Sequence, residues 1–245
     1  MKNYRMTVQY DGSRYSGWQK QGNTENTIQG KIETVLEKMA CAQIELHGSG
    51  RTDAGVHALG QVANFKCSTR QTPGQIQDYL NEYLPADIRI TRLTEASPRF
   101  HARLNASQKH YRYFIDTNAV QNVFLRKYAC HSPETYNLSL MKQAADFLTG
   151  EHDFMSFCDN KRMKKSTCRE IYSIEITKKD GIITIDFRGN GFLYHMVRLL
   201  TGILMEVGTE KRKPEEIPKI LQAKDRTAAG PLAPALGLFL VDVTY

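Results

Sequence analysis

Two hydrophobic periods alternate along the first half of the chain, and their order most restricts what it can become. Tyr4 to Tyr10 reads as a strand, closed by the turn signal Asp11-Gly12. From about Thr27 to Ala40, the residues Ile28, Ile32, Val35, Leu36 and Met39 recur at helical spacing. Asn26 with Gln29 three residues later predicts a capping box there. Gln43–His47 and Gln61–Lys66 read as two short strands. Thr72-Pro73 opens a second helix with a stripe of Ile76, Tyr79, Leu80 and Tyr83. Leu84-Pro85 ends it, and Ile88, Ile90 and Leu93 alternate through a further strand. Strand, helix, strand, strand, helix, strand is the order of a split βαβ, ferredoxin-like unit, which puts the chain in the α+β class.

Between the middle two strands lies Gly48-Ser49-Gly50-Arg51-Thr52-Asp53-Ala54-Gly55-Val56-His57-Ala58. Three glycines let this loop adopt positive φ and let other segments come close. In an extended stretch residues two apart share a face, so Arg51 and Asp53 can pair while both look into a cleft. An Asp held by an Arg stays ionised and oriented, as a nucleophile or base requires. A glycine-rich turn with a surface ion pair is the plainer reading of the same residues.

The chain has 245 residues, 41% of them hydrophobic, enough for one large domain or two modest ones with real cores. A net charge of +7 makes an anionic partner plausible. Cys41, Cys67, Cys130, Cys158 and Cys168 are odd in number and include no Cys-x-x-Cys pair. That argues against a disulfide framework and a zinc site, and fits a reducing, cytoplasmic setting. The N-terminal residues lack the apolar core of a signal peptide, and no run reaches membrane-spanning length. Neither a P-loop nor a dinucleotide fingerprint is present, so no nucleotide cofactor is expected.

Trp18 sits among Gly17, Gln19, Lys20 and Gln21. Such an aromatic either stacks on a base or packs beneath its own loop. Lys109 to Ile115 alternates, with Tyr111, Tyr113 and Ile115 on one face and His110, Arg112 and Phe114 on the other. A strand with its aromatics inward explains this, as does an aromatic row beside a basic row that meets nucleic acid. Leu138, Met141, Ala145 and Leu148 form a helical stripe ending at Gly150. The adjacent His152 and Asp153 invite a catalytic-dyad reading, although sequence neighbours seldom face each other. Lys161, Arg162, Lys164 and Lys165 form a basic cluster suited to phosphate, or simply to solvent. Strands at Ile171–Thr177 and Ile182–Phe187 join around Asp180-Gly181. A helix from about Phe192 to Glu206 buries Met196, Leu199, Leu200 and Ile203, with Arg198 on another stripe. A short helix follows Pro214.

Gly50-Arg51-Thr52-Asp53-Ala54-Gly55-Val56-His57-Ala58 resembles the active-site motif of the TruA family of tRNA pseudouridine synthases. Four further segments resemble that family in the same order. They are Asp11-Gly12 with Gly17-Trp18-Gln19; Phe100-His101-Ala102-Arg103 with Lys109-x-Tyr111-Arg112-Tyr113; Phe192 to Arg198; and Ala233-Pro234-Ala235-Leu236-Gly237-Leu238. In the last, Ala235 stands where the family has a second proline.

The resemblance implies that Asp53 is the catalytic aspartate, which attacks the substrate or removes a ribose proton. Arg51 and Arg198 hold it anionic, Tyr111 stacks on the target uracil and takes the C5 proton, and Leu238 floors the pocket. Tyr113 is assigned to the core. Trp18 and the Lys161–Lys165 cluster are expected to contact RNA. The family further implies two ferredoxin-like halves, 1–105 with the Asp loop and 106–245 with the Tyr, Arg and Leu. A catalytic cleft is expected between them on an extended mixed sheet. A homodimer is implied, acting without cofactor on uridines 38, 39 and 40 of the tRNA anticodon stem-loop. Two alternatives belong to other classes: an RNA-binding protein without catalysis, and a nucleosidase that uses Asp53.

Overall fold

The computed structural model describes residues 1–160 and 166–245. The chain divides into two compact units, Met1–Ser107 with Phe239–Tyr245, and Gln108–Leu238.

The first unit follows the sequence order. It runs β1 (Lys2–Tyr10), α1 (Ile28–Ala40), β2 (His47–Gly48), β3 (His57–Cys67), α2 (Pro73–Tyr83) and β4 (Ile88–Ala96). The strands lie in the order β4–β1–β3–β2, each antiparallel to its neighbour, as a split βαβ unit requires. Ile28, Ile32 and Leu36 of α1 and Ile76 and Leu80 of α2 are wholly buried, as are Tyr4 and Val8 of β1 and Phe65 of β3. Burying each such side chain contributes about 1.5–3 kcal/mol.

Three local expectations are corrected. The cap of α1 is Thr27, whose hydroxyl accepts from the Gly30 amide, while Gln29 turns inward to Glu33 and the Leu46 carbonyl. Gln43–His47 yields only the two-residue β2, because Ile44 and Leu46 are buried outside any ladder. Tyr83 is exposed, its ring tilted against Tyr79 along α2 and not entering the core. The Thr72–Gln75 capping box of α2 forms as its sequence suggests.

The second unit contains β5 (Gln108–Asp116), β6 (Cys130–His131), α3 (Leu138–Leu148), β7 (Gly150–Asp153), β8 (Cys168–Lys179), β9 (Ile182–Gly189), α4 (Met196–Gly208) and α5 (Ile217–Ala223). Its antiparallel strands run β5–β9–β8–β7, with β6 parallel to β5. Asp180 and Gly181 both take positive φ, the twist that lets a two-residue hairpin join β8 to β9. Leu199, Leu200, Ile203, Leu204 and Val207 make α4 the buried helix of this unit. It begins at Met196, four residues later than the apolar run suggests, because His195 is left-handed and breaks the helical path. The strand β7 was not expected: its sequence is polar and too short to show a period.

The last strand, β10 (Leu238–Thr244), pairs in parallel with β3, Phe239 opposite His57 and Leu240 opposite Ala58. Phe239–Tyr245 therefore belongs to the first unit, whereas the sequence reading assigned all of 106–245 to the second. Local periodicity reports that a segment is a strand but not which strand it joins. Among the described residues no helix is long and apolar enough to cross a membrane.

Candidate active site

In the first unit the glycine-rich loop between β2 and β3 is clamped from several sides. The Ser49 amide donates to the Val62 carbonyl at 2.7 Å, and its hydroxyl donates to Gln61 Oε1 at 2.6 Å. Gln61 Nε2 returns a bond to the Gly50 carbonyl at 3.0 Å. The Trp18 amide donates to the Thr52 carbonyl at 3.0 Å, and the Thr52 hydroxyl pairs with Tyr10 Oη at 2.8 Å. Gly12 packs so closely on this loop that a Cβ there would strike the Val56 carbonyl. The Gly12 amide also donates to His57 Nδ1 at 3.1 Å, and the buried His57 ring stacks on Phe239 at 4.6 Å.

This scaffold presents Asp53 half-buried and Arg51 exposed. The two do not form the expected pair. Arg51 Nε reaches across to Gln19 Oε1 at 3.0 Å, because the chain turns at Asp53, whose carbonyl accepts from the Val56 amide. Trp18 is also corrected: it is 1% exposed, its indole packed over Gly48 and beside Tyr10, so neither face can stack on a base. It is the plinth of the loop. His57, Gln61 and Thr52, which hold the loop from beneath, were not singled out in the sequence. A glutamine between Gly60 and Val62, among the apolar positions of β3, was the available signal.

In the second unit, Tyr111 and Tyr113 share a face of β5, as the alternation requires. Tyr111 is buried, with Phe192 edge-on at 5.2 Å. Tyr113 is wholly buried, and its hydroxyl donates to the Pro234 carbonyl at 2.7 Å. Burial pushes that phenol far above its ordinary range, against a smaller downward pull from Arg198. Arg198, in the first turn of α4, donates from Nε to the Ala233 carbonyl at 2.8 Å, and the Ala233 amide returns a bond to the Arg198 carbonyl. The loop 231–237 thus ties α4 to β5, and its final turn, Ala235–Gly237, delivers the buried Leu238. Ala235 in place of proline leaves that turn formed.

The opposite face of β5 does not offer a free basic row. His110 Nε2 and Arg112 Nε both bond Asp186 Oδ1, at 2.5 and 2.8 Å. His152 and Asp153 are not a dyad either. His152 turns to the Thr149 carbonyl, while Asp153 binds Lys224 and Thr167, which hold its carboxyl below the usual range. Lys161, Arg162, Lys164 and Lys165 lie outside the described residues. Among the described residues, no three His, Cys, Asp or Glu side chains are grouped to hold a metal ion.

The family described as tRNA pseudouridine synthase matches residues 6–105 and 144–245. The first stretch holds Arg51 and Asp53 and the second Arg198 and Leu238, while Tyr111 falls between them. A curated protein of Bacillus cereus (strain ZK / E33L), tRNA pseudouridine synthase A 2, is 48% identical over the full length of both chains. The tRNA pseudouridine synthase A of Bacillus sp. (strain KSM-64) is 49% identical, again over all of both chains. Among solved structures, a chain of a Cbf5–Nop10–Gar1 complex aligns with 83% of this chain and 45% of its own length. Its identity is 12% and its TM-score 0.38.

Proposed function

The chain belongs to the tRNA pseudouridine synthase family, and from that premise we propose that it isomerises uridines 38, 39 and 40 in the anticodon stem-loop of tRNA. The bond from ribose C1′ to uracil N1 breaks, the base turns while held, and C1′ rejoins at C5. The C5 proton is lost and N1 takes up a proton, so the composition of the nucleotide is unchanged. Asp53 supplies the carboxylate at the ribose, Arg198 provides positive charge for that carboxylate, and Arg51 provides it for the RNA backbone. Tyr111 lies against the base and receives the C5 proton, and Leu238 forms the apolar floor. One carboxylate suffices because no leaving group departs, unlike glycoside hydrolysis with its two. The target base must leave its stack, at a cost of a few kcal/mol met by stacking and phosphate contacts. The working unit is a cytoplasmic homodimer.

The observation that carries this reading is that Asp53 sits on a loop fixed by Trp18, Gln61 and Thr52, in a chain matched from end to end by the curated relatives. Tritium release tests it. A tRNA transcript tritiated at uracil C5 is incubated with the wild-type chain and with Asp53→Ala. Release by the wild type alone, with tRNA binding kept in the variant, is the expected result. Binding without release by either would favour the non-catalytic RNA-binding protein. Free uracil in solution would favour the nucleosidase.

A further inference from the structure

Phe100-His101-Ala102-Arg103 has no part in the chemistry above, yet its turn is among the most firmly built in the first unit. Two buried asparagines hold it. Asn3 Nδ2 donates to the carbonyls of Ser97 and Phe100 at 2.8 and 2.9 Å. Asn64 Oδ1 accepts from the Ala102 amide at 2.8 Å, and Asn64 Nδ2 donates to Asn3 Oδ1. Asn105 Oδ1 caps the His101 amide at 2.8 Å, and Tyr245 Oη donates to the Ala102 carbonyl at 2.8 Å. Each buried asparagine must be satisfied, so the network admits one backbone path for the turn.

What this rigid turn presents is cationic. Arg99 and Arg103 are exposed and have no carboxylate partner among the described residues. Lys2, Arg14, Lys211 and Lys224 each meet an acid, whereas Lys38, Arg70 and Arg92 are exposed without one among the described residues; Arg103 differs from those in the fixed backbone beneath it. Leu104, beside Arg103, is 77% exposed. His101 accepts at Nδ1 from the Arg103 amide, which leaves its proton on Nε2. Its ring stacks on His47 at 4.8 Å. Burial, then the neighbouring His47, holds His101 below the ordinary imidazole range, so it is a neutral donor at pH 7. His47 precedes Asp53 by six residues, a chain span of at most about 20 Å, the length of a few nucleotides.

We propose that the turn 97–105, backed by His47, is an RNA-backbone site in which Arg103 and His101 Nε2 take a phosphate of the tRNA near the target nucleotide, and Leu104 packs on the adjoining sugar or base. A cation already fixed on rigid backbone loses little freedom when the phosphate arrives, and no carboxylate has to be displaced first. An exposed apolar side chain next to such a cation suits a strand that is being unstacked. The inference rests on the tRNA reading of the chain and extends it to a contact outside the catalytic loop.

Filter binding of a tRNA transcript across a salt series decides it, using the full-length chain. Arg103→Gln is expected to weaken binding about tenfold near 0.1 M salt and to lower the slope of log K against log salt by about one. Arg103→Lys should keep the slope. In the tritium assay the loss in Arg103→Gln should appear as a raised KM for tRNA. Leu104→Lys, which removes no cation, should raise the slope by about one. It decides the matter if Arg103→Gln melts early. Unchanged affinity and slope in Arg103→Gln, or equal losses in the Gln and Lys variants, overturn the proposal. Tritium release in the same preparations separates the two readings. Release by the wild type with no Arg103 effect sinks this site alone. An Arg103 effect without release sinks the catalytic reading and leaves the RNA site standing.

Discussion

Arg198 is bound to Ala233 twice, through its side-chain Nε and through its own carbonyl. Its guanidinium is therefore aimed by the loop 231–237 as well as by α4. Lysine would keep the charge but not the Nε donor or the planar fork. Arg198→Lys is expected to lower turnover at saturating tRNA by about ten- to a hundredfold, with tRNA affinity within about threefold. Turnover equal to wild type in the tritium assay would remove Arg198 from the reaction. Helical spacing set Arg198 apart from the apolar stripe, but on that pattern alone it reads as a solvated cation, and only the family resemblance singled it out. Its anchor was not legible, because Ala233 lies 35 residues away and no local pattern connects them. Arg51 shows the converse. Its proximity to Asp53 in sequence suggested a pair, and a turn in the backbone sends it to Gln19 instead. For Tyr111 and Tyr113 the alternation gave the shared face. The sealing of the Tyr113 hydroxyl under Pro234 depends on a loop 121 residues on.

At the scale of elements, the Asp53 loop is a strand connection that owes its shape to packing from below. A Cβ on Gly48 would lie 2.6 Å from Cε2 of Trp18, which is itself 1% exposed and has nowhere to go. Gly48→Ala is expected to destabilise the chain by about 1–3 kcal/mol through overpacking. Trp18→Phe leaves room for the new methyl. The double variant should therefore lose less than the two singles together, with a coupling of about 1 kcal/mol. Urea unfolding of the three variants measures this, and simple additivity would show that the indole does not set the loop. Strands and helices with several apolar repeats, such as β1, α1, α2 and β9, were readable from their period alone. The elements that were missed or shifted are those where another term prevails. Before β2 the burial of Ile44 and Leu46 holds the chain without a ladder, β7 is a glycine and three polar residues on the edge of β8, and α4 starts late because of one left-handed histidine.

At the scale of the whole molecule, the division into units does not follow the order of the sequence. Residues 239–245 arrive after the entire second unit, yet they complete the first. Phe239 stacks on His57 at 4.6 Å, directly behind the Asp53 loop. Tyr245 lies under the Arg5 guanidinium at 4.3 Å and bonds Ala102, and the Thr244 carbonyl accepts from the Ser107 amide. A fragment ending at Ser107 would leave His57, Arg5 and the parallel edge of β3 uncovered, although every residue of the ferredoxin-like pattern is present. Restoring 239–245 needs a connection that runs back along the strand, about 17 Å for five residues, which a flexible linker of eight or more residues spans. Fragment 1–107 alone is expected to show strand and helix signals in far-ultraviolet circular dichroism but a weak near-ultraviolet spectrum and dye binding, the marks of loose packing. The fragment carrying 239–245 on that linker is expected to regain the near-ultraviolet signal and a cooperative melt. A cooperative melt from 1–107 alone would mean that the last strand merely decorates the unit. The alternative is that the Asp53 loop, read so plainly from eleven consecutive residues, is held in place by a segment almost two hundred residues downstream.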